Sequence, residues 1–212
     1  MKKHTVITLL TAVAVIATLG SCSRTPHFLG KWISAMPENI TEDVSNVARA
    51  TSQLSMEFSQ GKASAATGVV TLSSVIDITQ PVNGDSSFVE PYEVSIAATA
   101  NISGVWAFAG DSDDDLVLSF DMSTLDVDVD PHGVSFSQNL LTGAQRPTID
   151  SLTSVTVNLW KHELHNVLLA RLTHFSMLDD VEVNKDGNLL TFEIKNSSGH
   201  ERKYAFKRVF SD

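Results

Sequence analysis

Apolar and polar residues alternate at period two over much of this chain, the spacing of a β-strand with one face buried. Leu54, Met56 and Phe58 alternate with Ser55, Glu57 and Ser59 before Gln60-Gly61-Lys62 turns the chain. Val70, Leu72, Ser74, Ile76 and Ile78 line one face of a longer strand, broken at Pro81-Val82-Asn83-Gly84-Asp85. Tyr92, Val94, Ile96, Ala98 and Ala100 repeat the pattern, and so do Leu116, Leu118, Phe120 and Met122. There the phase slips by one. Leu125, Val127 and Val129 carry it on, which predicts a bulge or bend at Ser123-Thr124. Asp130-Pro131-His132-Gly133 has turn composition and predicts a return through Val134 and Phe136.

From about Thr148 the period becomes that of a helix. Trp160, Leu164, Val167, Leu168, Phe175 and Leu178 fall on one side, and Pro147 sits where a first-turn proline is tolerated. Asn184-Lys185-Asp186-Gly187-Asn188 then signals a hairpin, with Leu190, Phe192 and Ile194 facing one way. Asn196-Ser197-Ser198-Gly199 leads into a last strand with Tyr204 and Phe206 on one face. Residues 36–51 read as a long loop or short helix capping one end. About ten antiparallel strands and one amphipathic helix near the C-terminus predict a mainly β fold, a closed or nearly closed barrel. A β-sandwich is the alternative. No linker rich in Pro, Gly or Ser divides the chain, so residues 28–212 are expected to form a single domain.

The first 22 residues, MKKHTVITLLTAVAVIATLGSC, follow another pattern. Lys2 and Lys3 give a positive start, and Val6 to Ile16 an apolar run too short to span a membrane. The run ends in Leu19-Gly20-Ser21-Cys22, which resembles the lipobox of bacterial lipoproteins: an aliphatic residue, two small residues and the cysteine that receives lipid. The resemblance implies that residues 1–21 are a signal peptide and that Cys22 becomes the acylated N-terminus, palmitate among its chains. Residues 22–27 are then a lipidated tether. Two or three acyl chains hold a protein on a membrane where one does not. Ser23-Arg24-Thr25-Pro26-His27 puts no acidic residue beside Cys22, which by the same resemblance implies the outer membrane, on either face.

Composition changes this picture in a few ways. With 42% hydrophobic and 19% charged residues the chain is globular in character, and 191 residues after the signal suffice for one domain with a core. The net charge of −10 becomes about −12 once Lys2 and Lys3 are removed, which argues against nucleic acid as a partner. The same charge disfavours adsorption to anionic lipid, so membrane attachment falls to the anchor on Cys22. Cys22 is the sole cysteine, which excludes an intrachain disulfide and a thiolate metal cluster.

Phe28-Leu29-Gly30-Lys31-Trp32 carries a second resemblance. Gly30-x-Trp32 opening the first strand is similar to the lipocalin signature, whose tryptophan closes the barrel floor. In that family an arginine near the chain end packs over the indole, and Arg208 is the matching position. The helix before the closing strands also resembles the lipocalin plan. The middle Thr-Asp-Tyr type motif of the family is absent, two strands follow the helix where one is usual, and a second Gly-x-Trp stands at Gly104-Val105-Trp106. Taken whole, residues 22–212 look like the lipocalin-like (calycin-like) lipoproteins of Bacteroidota.

Several constellations bear on chemistry. Asp111-Ser112-Asp113-Asp114-Asp115 fails the EF-hand pattern, because Leu116 stands where glycine is needed and Met122 where the bidentate acid belongs. Asp126, Asp128 and Asp130 share a strand face about 7 Å apart, too far for one ion, and read as a solvated row. His162 and His165 are three apart, with His174 beyond, and do not make the zinc-protease pattern. No serine sits in a Gly-x-Ser-x-Gly elbow. The expectation is no catalytic residue, no metal and no cofactor. Two functions remain: a barrel binding a small apolar or amphipathic ligand, with Ser74, Ala98 and Ala100 leaving room inside, or an envelope lipoprotein that docks on a partner protein without a small molecule.

Overall fold

The computed structural model describes residues 26–61, 66–83, 91–112, 114–137, 146–195 and 201–210. Cys22, Asp113 and the expected turn at 196–199 lie outside them. The strands are β1 (Gly30–Ser34), β2 (Glu38–Asn39), β3 (Arg49–Gln60), β4 (Thr67–Val82), β5 (Tyr92–Phe108), β6 (Leu116–Phe120), β7 (Asp126–Val129) and β8 (Ser135–Phe136). A helix, α1 (Arg146–Leu172), precedes β9 (Met177–Val183), β10 (Leu189–Lys195) and β11 (Glu201–Val209).

Eight strands close a ring of antiparallel pairs in the order β1, β3, β4, β5, β6, β9, β10, β11 and back to β1. The fold is a closed antiparallel barrel with one helix, compatible with the lipocalin-like class. The strand count differs from the ten or so expected because β6, β7 and β8 are one interrupted strand. All three lie along β5 in the same direction: Gly104 opposes Phe120, Asn101 opposes Asp126, Ala98 opposes Val129 and Val94 opposes Phe136.

The interruptions are two tight 3-10 turns of similar build. From Gly104 to Asn101 β5 advances three residues while its partner advances six, and Met122–Thr124 take up the excess. From Ala98 to Val94 it advances four while its partner advances seven, and Pro131–Gly133 absorb the difference. In each turn an aspartate carboxylate accepts the backbone N–H two residues on, Asp121 from Ser123 at 3.0 Å and Asp130 from His132 at 2.8 Å. The slip at Ser123-Thr124 is thus a bulge-like turn, as expected. The return at Asp130-Gly133 is not: the chain continues in its own direction through Val134 and Phe136.

β4 and β5 outrun the ring, and this divides the interior in two. At the end where the chain enters, here called the floor, Phe58, Trp32, Trp106, Leu190, Phe192 and Phe206 fill the barrel. Toward the other end the extended sheet of β3, β4, β5, β7 and β8 would lie bare, and α1 covers it. Trp160, Leu164 and Leu168 pack on Ile76, Ile96 and Val129, each such side chain contributing about 1.5–3 kcal/mol over exposure. The Trp160 indole N–H donates to Gln80 Oε1 at 3.1 Å. The helix ends at Leu172; Phe175 lies in a 3-10 turn and Leu178 on β9, though both are buried on the expected side. Ala98 and Ala100, expected to leave room, belong to the cluster under α1, away from Trp32 and Trp106.

Ser74, also counted among the small inward residues, has a different task. Its hydroxyl meets that of Ser52 at 2.7 Å inside the barrel, and both side chains are buried. Each hydroxyl is the other's partner in the interior. Ser74→Ala alone is expected to cost about 1–2 kcal/mol in urea unfolding, because it orphans Ser52. The double change Ser52→Ala with Ser74→Ala should cost less than either single one.

Candidate functional site

The floor is built around the first Gly-x-Trp. Trp32 is fully buried and its indole N–H donates to the Phe28 carbonyl at 2.7 Å. The Arg208 guanidinium stacks on the indole with its carbon 4.2 Å from the ring centre. Its three kinds of N–H then tie together two segments: Nε to the Gly187 carbonyl (2.6 Å), Nη1 to that of Leu29 (3.0 Å) and Nη2 to that of His27 (2.8 Å). Gly30 passes beneath at φ +118°, where a side chain is strained and a Cβ would come within 3.1 Å of Arg208 Nη1. The structure therefore brings Gly30, Trp32 and Arg208 together, in an arrangement that fastens both chain ends.

The second Gly-x-Trp does related work. Trp106 is fully buried and donates to the Ser59 carbonyl at 2.9 Å. Gly68 lets the strands close over it, since a Cβ there would stand 1.9 Å from Ser59 O and 2.4 Å from the indole nitrogen. Phe28 plugs the space between, edge-to-face on Phe58, Trp106 and Phe108 at 5.3, 5.0 and 6.0 Å. Both indole N–H groups and the Arg208 guanidinium are engaged here, and they hold the floor together.

The opposite end is different. A cleft of about 620 Å³ opens between the last turns of α1, the β2 segment and the outer ends of β10 and β11. One wall is apolar, from Val167, Phe175, Ile194 and the Tyr204 ring. Tyr204 lies between Phe192, nearly parallel at 5.5 Å, and Phe175 at 5.6 Å.

The other wall is charged. Glu38 is buried, and each carboxylate oxygen meets a guanidinium: Oε2 meets Arg171 Nη2 at 2.7 Å and Oε1 meets Arg202 Nη1 at 2.6 Å. Arg171 also pairs with Asp43, and Arg202 lies over the Tyr204 ring at 5.3 Å. Burial works against the Arg171 charge, but Glu38 and Asp43 outweigh it and hold the guanidinium above its ordinary pKa. Burial, with the Glu38 charge adding to it, pushes the Tyr204 phenol up as well, so it stays a neutral hydrogen-bonding group.

Of these residues only Tyr204 stood out in the sequence, beside Phe206 on one face of the last strand. Glu38 fell in a segment read as a capping loop, and Arg171 and Arg202 come from two later elements, α1 and β11, with no common spacing.

The other candidates stay apart from the cleft. Asp126 and Asp128 point outward into solvent opposite Asn101 and Thr99, and Asp130 caps the turn that follows by accepting the His132 backbone N–H. Asp114 accepts from the Ser112 hydroxyl, and Asp115 accepts the Asp180 backbone N–H at 3.1 Å, so the acidic stretch ties a loop to β9. His162 is exposed and pairs with Asn166 at 3.3 Å; His174 lines the cleft rim. Among the described residues no three metal-binding side chains converge, and no helix is long and apolar enough to cross a membrane. Compared with protein-family models, with curated proteins and with solved structures, the chain finds no match.

Proposed function

We propose that this chain is a lipid-anchored, lipocalin-like protein of the outer membrane, akin to lipoproteins of Bacteroidota, that binds a small amphipathic ligand. The observation that carries the reading is the cleft at the open end, with its apolar wall and its charged wall facing one another. Its volume suits a ligand of a few tens of atoms. An acyl or ring portion would lie on Val167, Phe175, Ile194 and Tyr204, and a polar head would reach Arg171 and Arg202. The interior near the floor is taken up by its own aromatic side chains, which moves the expected ligand from the barrel centre to its mouth. It is proposed as a binding protein, without catalysis or cofactor.

The test is native mass spectrometry on residues 23–212 from a bacterial host. The expected result is an extra mass, lost on denaturation, that is missing from Ala170→Trp. Ala170 is an exposed residue on the cleft wall, so the indole fills the space without entering the core. A mass retained in that variant would move the ligand elsewhere. A bare chain even after incubation with a lipid extract of the envelope would overturn the reading. It would support the second one, an envelope protein that docks on a partner, which the filled interior favours.

A further inference from the structure

The outer surface of the barrel is divided along its length. Near the floor, Val69 on β4 opposes Val105 on β5, and Ala107 opposes Val117 on β6. Val69, Val105 and Val117 are each 44–55% exposed, and with Ala107 the pairing makes them one continuous apolar band over three strands. Scattered exposed valines are ordinary; a contiguous band is not. The outward residues bordering it include the uncharged Ser59, Thr71, Ser103 and Ser119, with Glu57 and Asp115 at its edges. Further along the same sheet the outward positions include Asp77, Glu93, Asp126 and Asp128. A chain of net charge −10 thus keeps one apolar face with its charges at the edge.

That face adjoins the point where the chain enters. Gly30 lies on one row with Phe58, Val70 and Gly104, one residue from the row of Val69 and Val105. Phe28 reaches under β5 to pack on Trp106 and Phe108, neighbours of Val105 and Ala107. The stretch from Cys22 to the fixed Phe28 spans at most about 20 Å even fully extended. We infer that this face lies against the lipid surface to which Cys22 is attached, so that the cleft at the opposite end points away from the membrane. The inference rests on the reading of Cys22 as the anchor. Lipid fits the face better than a protein does: the anchor holds membrane within reach, and an acidic protein approaches anionic headgroups most easily through its least charged side.

The test makes orientation independent of cellular lipidation. Cys22 is the only thiol, so residues 22–212 couple through it to maleimide lipid in vesicles of brominated phosphatidylcholine. Val105→Trp and Val75→Trp both place an indole on the outer face, near the floor and further along the barrel. Each is read as the difference from the unsubstituted coupled protein. The expected result is bromine quenching at 105 at least about twofold stronger than at 75, from side chains that lie within the headgroup and acyl boundary. Equal quenching at the two sites, or the reverse order, overturns the orientation. No quenching at either overturns membrane contact and leaves the face to a protein partner. The anchor is tested apart from this, by whether Cys22→Ser releases the chain from cell membranes.

Discussion

Arg208→Ala is expected to lower the unfolding free energy by about 3–4 kcal/mol, among the largest effects of any single substitution outside the hydrophobic core. The stacking energy over Trp32 is lost, together with three charge-assisted hydrogen bonds to carbonyls of residues 27, 29 and 187. These carbonyls belong to two distant parts of the chain, so the loss also frees the N-terminal segment from the β9–β10 hairpin. Urea unfolding followed by tryptophan fluorescence should show a lower midpoint with an unchanged slope. Arg208→Lys should recover only part of the loss, because an ammonium lacks the planar fork that reaches several acceptors while lying flat on an indole. If Arg208→Ala unfolds at the wild-type midpoint, the stacked pair is ornamental and the lipocalin comparison loses its residue-level support.

Glu38→Ala is expected to cost about 3 kcal/mol, for a different reason. The carboxylate is buried between two guanidinium groups, and deleting it leaves charge behind. Arg202, largely exposed, can turn to water; Arg171, with 18% of its side chain accessible, cannot do so freely. The cost should therefore concentrate in Arg171. In a double-mutant cycle Glu38→Ala with Arg171→Ala should cost clearly less than the two single changes added together, while pairing Glu38→Ala with Arg202→Ala should be closer to additive. A purely additive cycle with Arg171 would mean that the pair is screened and that segment 36–48 is held by Ile40 and Val44 alone.

How far the sequence could be read depended on whether a feature is local. Leu54 to Phe58, Val70 to Ile78 and Val94 to Ala100 alternate in step with the pleat, and they are the inward faces of β3, β4 and β5. Gly187 in Asn184–Asn188 turns at φ +70°, as the hairpin signal requires. The misreading at Asp130-Gly133 is instructive. Asp-Pro-x-Gly does turn, but whether a turn reverses a strand or only stores three residues is decided by the partner, here the unbroken β5. Phe175 and Leu178 kept a helical spacing by coincidence, since both a helix and a following strand bury their residues against the same core. The cleft was illegible because its charges come from residues 38, 43, 171 and 202, and only ring closure brings these together.

That closure has a kinetic side. The ring is completed by β1 pairing with both β3 and β11, so the first and last strands of the domain are neighbours, with Trp32 opposite Arg208. Nothing near the N-terminus can satisfy both edges until the last residues are available. Contacts of such separation must be reached before they repay the entropy of closing the loop, which makes folding slow and all-or-none. A chain threaded N-terminus first through a membrane pore would hold β3, β4 and β5 as an open, sticky sheet until β11 emerged. A deletion of only the final strand is expected to leave that sheet permanently open.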